Sequence, residues 1–275
     1  MIAESHQIFD RLLKKQQRDR AAHLFHQHDF LYREVCESLI DRLLDIKKNF
    51  PVILQLGAHD GYLTGLLDRA YPEKIDQLIT TDLSESFLKK TDQKNYESLV
   101  CLDEERLPFK DGSFDLIIAP LTFHFLNALP QTLTMVRKLL KPDGLFIAAL
   151  IGENSLVHLR HVLLEAEIKH LGGAKPHLSP SLSLNDLGKL MQLAGFSLPV
   201  LDKEEIFVSY DDIYQLMKDL RGMAQNNSLH ARDRSVASSH VFKEADRLYK
   251  DLFARDDGLI EAQFDIIYIS GWSQP

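Results

Sequence analysis

Val52 to Tyr62 reads VILQLGAHDGY, an apolar run that enters a turn punctuated by Gly57 and Gly61. This is the junction at which α/β proteins bind nucleotides. Closely spaced glycines let a ligand approach the backbone with no Cβ in the way, and the helix that follows offers unpaired amide groups. Two positions depart from the usual pattern. His59 stands where many nucleotide-binding loops carry a further glycine, and Gln55 stands at a pre-turn position that is often acidic. The loop both points to a cofactor and questions it, so the decision passes to the residues downstream.

Asp82 closes the next apolar segment, LITTD, 21 residues beyond Gly61. A carboxylate there, at the C-terminal end of a strand, accepts both hydroxyls of a ribose. That serves NAD and S-adenosylmethionine equally. The stretch from Cys101 to Phe109, CLDEERLPF, followed by DGSFDLIIAP, separates them. It reads as a strand end carrying Asp103, a short loop, and another strand ending near Pro120. Asp103 is placed to accept from an adenine amino group while Leu102 and Leu107 supply an apolar wall, an arrangement dinucleotide enzymes rarely need.

At these residues the chain resembles the class I S-adenosylmethionine-dependent methyltransferases. The likeness rests on Asp82 after its strand, D-x-E-x-L-P-F from Asp103 to Phe109, F-D-L-I-I from Phe114, and L-K-P-D-G from Leu140 to Gly144, in that order. It implies S-adenosylmethionine as cofactor, with Gly57, Ala58, His59, Gly61, Asp82, Leu83, Asp103 and Glu104 as the candidate binding set. The implied fold is a Rossmann-like α/β sheet of seven strands, mostly parallel with an antiparallel last strand and helices on both faces. A narrower resemblance covers nearly the whole chain, to the methyltransferase-like assembly factor of respiratory complex I, of arginine-hydroxylase type, and its bacterial relatives. IFDRLLKKQQRDRAA (Ile8 to Ala22), DRLLDIKKNFP (Asp41 to Pro51), NDLGKLMQLAGF (Asn185 to Phe196), DLRGM (Asp219 to Met223) and YISGW (Tyr268 to Trp272) carry it. That branch is implicated in hydroxylating an arginine of a complex I subunit, so the resemblance weakens any step from fold to methyl transfer.

Composition agrees. A chain of 275 residues, 45% hydrophobic and 26% charged, buries a large core as one elaborated domain or one domain with an insertion. A net charge of −8 argues against broad nucleic-acid binding. No apolar run approaches the length that spans a bilayer, which argues against an integral membrane protein. Cys36 and Cys101, far apart and without a Cys-x-x-Cys pair, make structural zinc and a disulfide framework poor readings. Met1 to Gln7 is short and polar rather than a secretory signal, and family-like text begins at Ile8, so a bacterial cytoplasmic protein or a processed mature form is expected.

The expected organisation is an N-terminal helical extension (1–50), a cofactor-binding core (51–151), and a helical cap or insertion that completes the sheet (152–275). Leu31, Val35, Leu39, Leu43 and Ile46 form one apolar stripe, which predicts a helix near 29–46. Strands are expected near 52–56, 77–81, 98–102, 114–119 and 144–150, with helices between them. Beyond Ile151 the alternation breaks. Helices are expected at Ser155–His170, Ser183–Leu193, Asp211–Met223 and Val236–Phe253, strands at Glu205–Ser209 and Glu261–Gly271, and a loop at Gly172–Pro180. The helices between the last two strands would form the substrate-side cap.

The basic run Arg11, Lys14, Lys15, Arg18 and Arg20 has two readings: a solvated helix face, or an arm that folds over the cofactor and offers cations to its carboxylate or to an acidic partner. His23, His26 and His28, and His158 with His161, invite a metal hypothesis. Without carboxylates or cysteines nearby they read as incidental surface histidines, no metal is expected, and His177 stays uncommitted. His124, in PLTFHFLNAL, follows the fourth strand at the rim where this fold would place the reactive sulfonium. It is either a packed rim residue or a wall of the substrate pocket, while Phe123 and Phe125 read as core. No residue is identified as the catalyst. Three functions stay open: an S-adenosylmethionine-dependent enzyme acting on a protein, with a complex I subunit as partner; an arginine hydroxylase on the same fold; and a non-catalytic assembly protein whose loop has decayed at Gln55 and His59.

Overall fold

The apolar run at Val52–Leu56 forms β1, buried along nearly its whole length, as befits a strand with helices on both faces. The computed structural model describes residues 7–173, 175–177, 179–233 and 239–274. Around β1 the sheet adds β2 (Gln77–Asp82), β3 (Glu97–Cys101), β4 (Phe114–Pro120), β5 (Leu140–Ile151), β6 (Ser197–Tyr210) and β7 (Ile260–Trp272). The strand order is β3-β2-β1-β4-β5-β7-β6. Strands β1 to β5 pair in parallel, while β7 runs antiparallel between β5 and β6. This is the mixed seven-stranded sheet of the class I methyltransferase fold.

Two strands differ from their expected bounds by more than one residue at an end. β5 starts at Leu140 because Leu140 already pairs with Phe114 before the register jumps to Leu145 opposite Leu116, so the Pro-Asp-Gly turn is a bulge inside the strand. β6 runs from Ser197 to Tyr210 rather than over 205–209, and pairs with β7 almost throughout. Its first half, residues 197–204, lies outside the expected strand, and Asp202, Lys203 and Glu204 carry no apolar alternation. It is a half-exposed edge strand whose ladder bonds, not apolar burial, hold it extended.

The helices are α1 (Arg11–Ala21), α2 (Phe30–Leu44), α3 (Tyr62–Ala70), α4 (Glu85–Leu88), α5 (Leu129–Leu139), α6 (Val157–Leu171), α7 (Leu184–Leu193), α8 (Ile213–Gly222) and α9 (Ser239–Phe253). The first residues of the helix expected at 236–253 lie outside the described residues. Asp10, Ser183 and Asp212 start α1, α7 and α8 by accepting from the backbone N–H three residues on. Side chains alternate across the sheet. Ile53, Leu116, Ile118 and Ile147 pack with α2, α3, α6, α8 and α9, whereas Leu54, Ile117, Phe146 and Ala148 pack with α5 and α7. Leu31, Val35, Leu39 and Leu43 are fully buried against the first face, and Ile46, just past α2, packs on its margin. Among the described residues no helix is long and apolar enough to cross a membrane.

Candidate functional site

Because β1, β2 and β3 run parallel, their C-terminal ends bring the Gly57–Gly61 turn, Asp82 and Asp103 to one edge of the sheet. Gly57 (φ +92°) and Gly61 (φ +84°) occupy the left-handed region, where a side chain is disfavoured. A Cβ on Gly61 would also come within 2.8 Å of Thr91 Cγ2. The Gly57 and Ala58 N–H groups donate to Thr81 O at 2.8 and 2.9 Å, folding the turn onto the end of β2. His59 holds φ +48° without being glycine, a conformation that costs about 1–2 kcal/mol. Tertiary packing maintains it: its N–H donates to Asp82 Oδ2 at 3.1 Å, and its ring lies 4.0 Å from Tyr32, 5.2 Å from Phe25 and 5.3 Å from Phe87. Burial, reinforced by the Arg18 guanidinium, pushes its pKa well below the usual histidine value, so the imidazole is neutral.

Asp82 is fully buried and accepts four bonds. Oδ1 takes Ser84 N–H (2.8 Å) and Arg18 Nε (3.0 Å), and Oδ2 takes His59 N–H and Arg18 Nη2 (2.5 Å). Those are all the acceptor directions a carboxylate has. Leu83, beside it, is buried. Asp103 accepts from Arg11 Nη2 at 2.6 Å and from Nε at 3.3 Å, and the same Nη2 donates to Glu104. Glu104 is buried, and burial raises its carboxyl pKa against the opposing pull of Arg11. Leu107 is buried and Leu102 half-buried below them.

The basic run therefore divides. Arg11, Lys14 and Arg18, spaced three and four apart, share one face of α1. Arg18 and Lys14 are 3% and 2% exposed, which overturns the solvated-face reading for these two. Lys14 Nζ donates to Ala224 O at 2.5 Å and lies 3.0 Å from the Phe125 ring centroid. Burial, with Arg18 and Arg11 nearby, lowers its pKa well below that of an ordinary lysine. Lys15 pairs with Asp19 at 2.9 Å, and Arg20 is exposed. Between Arg11, Lys14, Arg18 and the walls Leu83, Glu104, Thr122 and Phe125, a cavity of only about 10 Å³ remains. The 11, 14, 18 spacing was the sequence signal for this face; nothing in the sequence assigned Arg18 to Asp82.

His124 lies in the helical turn Phe123–Phe125 after β4. Its Nε2 is 2.9 Å from Gln225 Oε1, and its Nδ1 faces Ile151 N–H at 3.5 Å. Desolvation, only partly offset by Gln225, pushes its pKa down to about 3; the ring is neutral, with Nε2–H donating to the amide oxygen. Two cavities meet at His124. One, of about 60 Å³, is lined by Gly152, Ser155, Arg160 and Gln225; the other, of about 500 Å³, is mostly apolar, with Phe123, Leu126, Leu129, Leu150, Leu187 and Leu190 in its wall. His124 thus stands on a rim between these two cavities, and Gln225 is a wall residue the sequence did not single out.

The other histidines singled out in the sequence are exposed or have ordinary partners. His23 and His26 are exposed, but His28 is buried with Nδ1 2.6 Å from Asp219 Oδ1, so it is not a surface residue. His158 stacks on Phe253 at 4.1 Å and His161 meets the same ring edge-on. Among the described residues no group of three or more His, Cys, Asp or Glu is arranged to hold a metal ion. His177 Nε2 lies 2.6 Å from the buried Glu167 Oε1 in the cap, a pairing across a loop that no local pattern signals.

Comparison with known proteins fits this geometry. Residues 54–148 match the family model of a methyltransferase domain. The chain is 37% identical over 268 residues to the human mitochondrial arginine-hydroxylase NDUFAF5, covering 96% of this chain and 76% of that protein. It is 30% identical over 267 residues to a malonyl-[acyl-carrier protein] O-methyltransferase of Laribacter hongkongensis, covering 92% of this chain and 86% of that one. Among solved structures, phosphoethanolamine N-methyltransferase 2 of Haemonchus contortus, in complex with phosphomonomethylethanolamine and S-adenosylhomocysteine, superposes with a TM-score of 0.59 at 10% identity, covering 95% of this chain and 60% of that one. Kinship of this extent, on this sheet, means that the chain belongs to the arginine-hydroxylase NDUFAF5 family within the class I S-adenosylmethionine-dependent methyltransferase superfamily.

Proposed function

We propose that the chain binds S-adenosylmethionine at the edge formed by β1, β2 and β3 and modifies a side chain of a protein, a respiratory complex I subunit being the target its kinship favours. The observation that carries this reading is the convergence of the Gly57–Gly61 turn, Asp82 and Asp103 on one edge of the sheet. The chemistry of the donor set fits the cofactor. Asp82 has the acceptors for two ribose hydroxyls, Asp103 for an adenine amino group with Glu104 beside it, and Leu83, Leu102 and Leu107 supply apolar walls, while Gly57, Ala58, His59 and Gly61 turn the backbone. The space does not fit while α1 lies as it does, with about 10 Å³ left beside Arg18. When bound, S-adenosylmethionine supplies an electrophilic methyl group. The rest falls to residues of this chain: residues 51–151 hold the cofactor, segments from 152 to 275 close the substrate side, and a neutral His124 shapes the wall at which the acceptor side chain arrives. Transfer to an acceptor needs alignment and exclusion of water more than a dedicated base.

A second reading, hydroxylation of an arginine on the same fold, is favoured by 37% identity to arginine-hydroxylase NDUFAF5 over 96% of the chain. Intact-mass comparison of complex I subunits from cells with and without this protein separates the two. A methyl increment on one subunit supports transfer, and an oxygen increment supports hydroxylation. Unaltered masses with defective complex I assembly would leave a binding role, and unaltered masses with normal assembly would remove the complex I partner.

A further inference from the structure

We propose that α1 is a displaceable cationic plug, which fills the cofactor cleft by setting Arg18 on Asp82 and Arg11 on Asp103 and Glu104, and which leaves the cleft when the cofactor binds. The inference rests on the cofactor reading above and adds how that site is opened.

Space comes first. Sites for ligands of this size enclose about 300–1,000 Å³, whereas about 10 Å³ remains beside Arg18. Acceptors come second. Both Asp82 oxygens are filled by Arg18 Nε and Nη2 together with Ser84 and His59 N–H groups, so two ribose hydroxyls can bond only if the guanidinium goes. Asp103 is likewise engaged by Arg11. The third point is the nature of the buried face. The buried residues of α1 are Lys14, Gln17, Arg18 and Ala21, one apolar side chain among three polar ones, while Leu12 points outward at 68% exposure. Buried ion pairs repay little more than their own desolvation, and a free helix of this length is marginal in water, so α1 is bound by exchangeable polar contacts rather than by a hydrophobic seam. Ligand hydroxyl and amino groups replace the cations on Asp82 and Asp103, and water takes up the released arginines.

Displacement also reaches the substrate side. Lys14 donates to Ala224 O, Gln17 to Asn227 O at 2.8 Å, and Asp10 N–H to Ser228 O at 2.8 Å. Gln225, between those points, is the residue that holds His124. Freeing α1 therefore loosens one wall of the cleft in which the substrate is placed.

The test uses S-adenosylhomocysteine as probe and the full chain. Hydrogen exchange on the wild-type protein should show amides of residues 11–21 exchanging about tenfold faster, or more, at saturating probe. Calorimetric titration of Arg18→Gln should give binding about tenfold tighter than wild type, since a population held shut taxes apparent affinity by the open fraction, and Arg18→Lys should fall between. Slower exchange of 11–21 with probe, or weaker binding by Arg18→Gln, would show a lid that closes on the ligand and overturn the plug. Wild-type binding with unchanged exchange would overturn the plug and leave the cofactor reading standing. Binding by neither wild type, Arg18→Gln nor the Arg11→Gln/Arg18→Gln double variant would sink the cofactor reading and the plug with it. If Arg18→Gln does not fold, the exchange measurement on the wild type decides alone.

Discussion

At Asp82 a single carboxylate serves the fold and the candidate ligand site, because the guanidinium that neutralises it comes from 64 residues away in sequence. Removing one member of a fully buried pair leaves the other uncompensated. Asp82→Asn should therefore lower the unfolding free energy by about 3–5 kcal/mol in a denaturant titration. The double variant Arg18→Met/Asp82→Asn should lose less than the sum of the single losses; additive losses would show that the pair is not coupled. His59 and His124 set a pH dependence by the same physics. Both are held neutral in the folded chain, with pKa values depressed below the ordinary value of about 6.5 that the unfolded chain restores. Below about pH 6.5 the unfolded state takes up protons that the folded state refuses. Their contribution is thus complete above that pH and is lost as pH falls toward the folded value, about 3 for His124. Urea midpoints measured from pH 7.5 downward should fall on this side, and His124→Gln should flatten the curve. An unchanged slope would mean that His124 titrates normally.

Among the elements, α2 and β6 lie at opposite ends of what a sequence displays. The stripe from Leu31 to Leu43 repeats at helical spacing because each of its members is buried on one face of the sheet, so pattern and packing coincide. Leu39→Ala should cost about 2–5 kcal/mol by chemical denaturation, since a fully buried leucine leaves a cavity. Leu12→Ala, at 68% exposure, should change stability by less than about 0.5 kcal/mol. Strands β1 to β4 were legible for the same reason as α2: apolar runs bounded by turn residues. β6 was legible only over 205–209, because Asp202 to Glu204 carry no apolar alternation and become strand only by hydrogen bonding to β7, more than fifty residues later. The bulge in β5 was hidden too. Pro142 to Gly144 has the composition of a turn and gives no sign that Leu140, before it, already pairs with Phe114.

For the molecule as a whole, the candidate site was legible where it sits on the fold's own geometry and illegible where distant segments cross it. Gly57, Gly61, Asp82 and Asp103 follow strands whose order fixes their common edge, so spacing along the chain was enough to group them. The partnership of α1 with those carboxylates, of Gln225 with His124 and of Glu167 with His177 depends on tertiary paths that no local pattern encodes. The same sheet that gathers the candidate site also ends on the outside in β6, whose far side has no partner strand among the described residues and whose flanks expose Leu198, Val200 and Phe207. An open strand of that length is a template for intermolecular pairing. Asp202, Lys203 and Glu205 interrupt it at mid-length with exposed charge, as gatekeeper residues do in sequences that must stay dispersed. Replacing Lys203 and Glu205 with valine should leave the fold intact and turn a dispersed protein into one that self-associates on standing, seen as rising light scattering. The charges that hid the first half of β6 from a reading as strand are the ones expected to keep its open edge from pairing with another copy.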